Sequence, residues 1–94
     1  MRETNPPSGL SGGPLRKLIA ASVRIELVRA NVSGHQMAQR IGVATSTFSR
    51  RMTGEISFSG EELVAIAVQL EIPVATLLAD AEATMAQPAP AGVA

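Results

Sequence analysis

The stretch Thr45-Ser46-Thr47-Phe48-Ser49-Arg50-Arg51 sets small hydroxyl side chains ahead of two guanidinium groups. Small hydroxyls near the start of a helix let that end enter a groove without a clash, and they donate or accept hydrogen bonds there. Long cations one or two turns later reach the base edges or the phosphates of a duplex. Arginine presents paired donors to guanine O6 and N7, the commonest specific base contact. Thr45, Ser46, Ser49 and Arg50 are therefore the candidate base readers, with Arg50 first among them. Upstream, Ser33, Gly34 and His35 stand where a helix begins, and free amides at a helix N-terminus suit a phosphate. Arg24, Thr47, Arg51 and Ser57 complete the candidate phosphate contacts, and His35 can add a pH-sensitive one. Surface Ser and Thr are ordinary on any solvated helix, so the reading depends on the elements around them.

Those elements read as five helices. Pro14 suits a first helical turn, having no amide to leave unpaired. Beyond it Leu15, Leu18, Ile19, Val23 and Leu27 recur at threes and fours, so they share one face, with Arg16, Arg24 and Arg29 elsewhere around the helix. Asn31 ends this helix where a left-handed residue is needed. Ser33 then caps GHQMAQRI, with Met37, Ala38 and Ile41 inward and Gly42 closing it. The third helix, TSTFSRRMT, turns Phe48 and Met52 toward the core and stops at Gly54. Ile56 and Phe58 can reach the core from the loop that follows. Ser59 and Glu62 form a capping box at the entry to EELVAIAVQL, whose apolar stripe is Leu63, Ile66, Ala67 and Leu70. Pro73 opens the fifth helix, anchored by Leu77 and Leu78.

The second and third helices are joined only by Gly42-Val43-Ala44. So short a turn forces them to cross steeply; Val43 can plug the angle while Ala38 lets the backbones approach. In order and spacing the chain resembles the lambda-repressor-like helix-turn-helix family of phage repressors and Cro proteins. The resemblance runs from Val23 to Leu78 and is carried by Val23 and Leu27, Val32-Ser33, Ala38, Gly42-Val43, Thr47-Phe48-Ser49-Arg50, Gly54, and Glu61-Glu62-Leu63 with Ile66-Ala67. It implies a compact five-helix, all-α DNA-binding domain that reads a double-stranded operator, as a homodimer on paired half-sites, and regulates transcription. The chain departs from the family pattern at three places. Gly34 stands where members often have a phosphate-gripping Gln, Ala44 where the N-cap is often Ser or Thr, and Arg51 where an apolar residue is common.

Composition narrows the alternatives. The 94 residues hold a single domain at most. Residues 1–13 and 86–94 are rich in Pro, Gly or Ala and read as a flexible arm and tail, leaving residues 14–85 for the folded unit. Aromatics are 2% of the chain, so its core is aliphatic, which suits helices rather than a β-barrel. With no Cys and a single His, disulfide frameworks, thiolate sites and paired-His zinc sites are excluded, and no cofactor is expected. No apolar run is long enough for a membrane span and no secretory leader is evident, so a cytoplasmic protein is expected. An enzyme would need a nucleophile or base activated by a neighbour, and none is evident.

Between Pro14 and Gly54 lie Arg16, Lys17, Arg24, Arg29, Arg40, Arg50 and Arg51 against Glu26 alone. From Glu55 onward every charge is acidic. Such a division suits one half to a polyanion. An antitoxin-like interaction module with secondary DNA binding is the alternative, though the tail QPAPAGVA lacks hydrophobic anchors for a partner. A membrane-surface peptide would need the apolar face of the first helix, which the core requires. Val74, Leu77 and Leu78 are candidates for a dimer surface, or else core.

Overall fold

Local capping chemistry sets both ends of two helices and the end of a third among the described residues. In the computed structural model, which describes residues 13–86, the helices are α1 (Gly13–Ala30), α2 (Gly34–Ile41), α3 (Thr45–Met52), α4 (Gly60–Leu70) and α5 (Val74–Ala86). The described residues contain no strand, so the fold is all-α. The arm expected over 1–13 and the tail expected over 86–94 lie outside the described residues, apart from Gly13 and Ala86 at the helix ends.

Three helices stop by the same device. Asn31, Gly42 and Glu71 take left-handed φ values of 60°, 77° and 58°. In each case the next residue folds back: Val32 donates to Leu27 O, Val43 to Ala38 O and Ile72 to Ala67 O, all at 2.9–3.0 Å. The left-handed residues themselves donate to Val28 O, Gln39 O and Val68 O. This is the paired bonding of a Schellman ending, and its apolar residues, Val32, Val43 and Ile72, pack against the core. Asn31 and Gly42 were legible as left-handed positions. Glu71 was not, because a glutamate carries a Cβ penalty there that only the bonds and the packing of the half-buried Ile72 against the core offset.

Each of the five helices delivers one fully enclosed large side chain: Val23, Met37, Phe48, Ile66 and Leu77. Leu27, Ala38, Leu63 and Ala67 fill between them, and Phe58 reaches back to set its ring edge-on to Phe48, with centroids 5.6 Å apart. Such aromatic pairs are worth about 0.5–1.5 kcal/mol beyond burial. Ile56 is only half-buried. On α1, Leu15, Leu18 and Ile19 are half-buried while Ala20 and Ser22 are buried, since α1 is packed by α5, α3 and α4 rather than along one stripe. Leu77 is fully enclosed and serves the interior, whereas Val74 and Leu78 pack on the core but remain half-buried.

Gly54 is buried, has a φ of 82°, and lies where an added Cβ would meet Lys17 Cγ at 2.8 Å and Lys17 Cα at 3.3 Å. Gly54→Ala therefore meets both the left-handed penalty and the backbone of α1. It is expected to lower stability by about 1–3 kcal/mol in urea unfolding. A variant as stable as the parent would show that α1 and the α3–α4 loop are not in this contact.

Candidate nucleic-acid interface

The eight residues of α3 divide into three strips. Thr45, Ser46, Ser49 and Arg50, spaced i, i+1, i+4 and i+5, are all exposed and lie on one face. Phe48 and Met52, four apart, point inward, and Thr47 and Arg51, also four apart, form a half-buried flank. The expected base readers thus come together on the solvent side of a helix that one aromatic ring anchors from below. Ala44 precedes this helix without a side-chain cap. An uncapped end costs about 1 kcal/mol relative to Ser or Thr, so packing by Phe48 rather than capping must hold it.

α2 begins beside α3. Ser33 Oγ accepts from Gln36 N at 3.0 Å, and Ser33 N donates to Gln36 Oε1 at 2.9 Å, closing a capping box. The Ser33 amide is thus occupied, which narrows the open amides of the expected phosphate site to Gly34 and His35; neither has an acceptor among the described residues. Gln36 was missed in the sequence although Ser-x-x-Gln is a recognised capping signal. A Cβ at Gly34 would lie 3.6 Å from the Phe48 ring, an ordinary contact, so a side chain is tolerated where the family often has Gln. His35 Nδ1 lies 3.1 Å from Thr45 Oγ1, joining the starts of α2 and α3.

The cations are less free than the charge count suggested. Arg50 Nη2 lies 3.3 Å from Glu55 Oε2, with both side chains more than half exposed. Arg51 donates to Ser57 O, and its Nε lies 3.0 Å from Glu62 Oε1, the oxygen that also accepts from Ser59 N in the capping box of α4. Here the side chains are only 22% and 16% exposed, so this pair is firmer than the Arg50 pair. Arg24 donates to Met52 O at 3.2 Å, tying α1 to the end of α3. The acidic half of the sequence therefore enters the basic face at Glu55 and Glu62. Ser57 is exposed beside Arg51.

An exposed ion pair is worth about 0–1 kcal/mol, less than the roughly 1–3 kcal/mol of discrimination from a bidentate arginine–guanine contact. Arg50 can exchange Glu55 for a base edge at little cost. Arg51 is the more committed residue, since the Glu62 carboxylate and the Ser57 main-chain carbonyl hold it.

No helix among the described residues is long and apolar enough to cross a membrane. No curated protein is significantly similar in sequence. Among solved structures, the clp gene regulator ClgR from C. glutamicum superimposes with a TM-score of 0.68 at 26% identity, covering 79% of this chain and 96% of that one. The model of the bacteriophage CI repressor helix-turn-helix domain matches residues 26–84, a span that takes in the last turn of α1, all of α2, α3 and α4, and most of α5. With the capped pair α2–α3 and its Gly42 turn inside that span, the chain belongs to the bacteriophage CI repressor helix-turn-helix domain family.

Proposed function

We propose that this chain is a sequence-specific regulator of transcription, of the phage or prophage repressor or Cro type, that lays α3 in the major groove of double-stranded DNA. In this reading Thr45, Ser46, Ser49 and Arg50 meet base edges. Arg24, Ser33, Gly34, His35, Thr47, Arg51 and Ser57 line the flanking phosphates. The protein acts as a homodimer in the bacterial cytoplasm, on half-sites about 34–36 Å apart. One observation carries the proposal: the exposed strip of α3 holds every candidate base reader, and the open amides of Gly34 and His35 stand at the start of the helix beside it.

Selection of bound duplexes from a random DNA pool tests it, with the parent chain and Arg50→Ala in parallel. The parent is expected to return a defined motif. Arg50→Ala is expected to lose about 1–3 kcal/mol of discrimination at one base pair, a factor of roughly 5 to 150, while keeping residual non-specific binding. An unchanged motif means that another element reads the bases.

A further inference from the structure

The helices that carry the candidate contacts touch at their starts through one side-chain pair, His35 Nδ1 and Thr45 Oγ1, 3.1 Å apart. His35 is the second residue of α2 and Thr45 the first of α3, and both are exposed. A threonine hydroxyl has one proton and two lone pairs, so what it gives to one partner decides what it offers to another. A neutral imidazole with Nδ1 bare accepts a hydrogen bond from the Thr45 O–H and leaves the hydroxyl only lone pairs to present. An imidazole with a proton on Nδ1, as the cation must have, donates to Thr45 Oγ1 and leaves the hydroxyl proton free.

We propose that His35 is a positioning residue that sets the hydrogen-bond polarity of the Thr45 hydroxyl, and through it which base α3 accepts at that step of the duplex. This rests on the reading of α3 as the major-groove helix. Presenting lone pairs, Thr45 selects an edge that donates, adenine N6 or cytosine N4. Presenting its proton, it can also bond an edge that only accepts, guanine O6 or N7 or thymine O4, as well as adenine N7. One hydroxyl thus has two specificities, and the presence or absence of a proton on His35 Nδ1 chooses between them.

The cleft around the pair is completed by Gly34, Phe48, Ser49 and Met52, none of which titrates. Charged groups on the packed elements are Arg24 on the Met52 carbonyl with Arg16, Lys17, Glu26 and Arg29 elsewhere on α1, Arg50 with Glu55, Arg51 with Glu62, Arg40 of α2, and Glu61 of α4.

Duplex selection at about pH 5.5 and about pH 8, with the parent chain, His35→Asn and Thr45→Val, tests the proposal. Thr45→Val identifies the base pair in question as the one whose preference it abolishes. In the parent, relative affinity at that pair is expected to move toward guanine or thymine as pH falls, by about two- to tenfold, the worth of one hydrogen bond. His35→Asn, which keeps a hydrogen-bonding group without titrating, is expected to return the same base at both pH values. A parent preference that does not move at that pair overturns the proposal, as does one that moves as far in His35→Asn. A gain in affinity at low pH with the base unchanged also overturns it, because imidazolium would then only be attracting phosphate. If Thr45→Val and Arg50→Ala both leave the whole motif intact, the placement of α3 in the groove is what fails.

Discussion

Phe48→Ala is expected to lower the stability of the domain by about 3–5 kcal/mol, the usual cost of deleting a buried aromatic ring. Phe48 is 1% exposed and is the one fully enclosed large side chain that α3 supplies. Its ring meets Phe58 at 71° and lies below Gly34, so it joins α3, the α3–α4 loop and the start of α2. Because α3 has no side-chain cap at its start, capping does not substitute for the lost ring. A domain of this size holds a total stability of only about 4–11 kcal/mol. The loss corresponds to a fall in melting temperature of about 15 °C or more. Thermal unfolding followed by circular dichroism checks it, with Phe48→Leu as the volume-sparing control that keeps most of the stability. A drop of under about 1 kcal/mol would mean the ring does not anchor α3.

The second large effect is on binding and needs no mutation. If each protomer neutralises about three to four phosphates, a dimer on its operator has a slope near −6 for log affinity against log salt. Between about 50 and 200 mM salt that is a loss of more than a thousandfold. Fluorescence anisotropy titrations across that range measure it. The Glu55 and Glu62 pairs make the magnitude informative, because a cation that stays with its carboxylate releases no counterion from DNA. A slope shallower than about −3 would show that the arginines remain with their internal partners and that the basic half does not engage the backbone.

How much of the molecule was legible beforehand depends on the range of the interactions involved. Ser33, Gly42, Gly54, and Ser59 with Glu62 act within one turn of their own position, and the structure places each in the role its type suggested. The inward side of α3 was likewise readable, since Phe48 and Met52 sit one turn apart. Gln36 was readable in principle. Glu71 was not, because residue type argues against a left-handed glutamate and only the packing of the half-buried Ile72 against the core favours one.

By itself the sequence determined where the helices start and stop, which faces are apolar, and that one helix displays hydroxyls and an arginine together; caps and periodicity are local and repeat with the helical turn. Only the tertiary structure decided which of those groups are free. The angle between α2 and α3 brings His35 to Thr45, and the return of the chain into α4 brings Glu62 under Arg51. Residues ten or more positions apart meet only after the core of Val23, Met37, Phe48, Ile66 and Leu77 has closed, and no spacing rule records that closure.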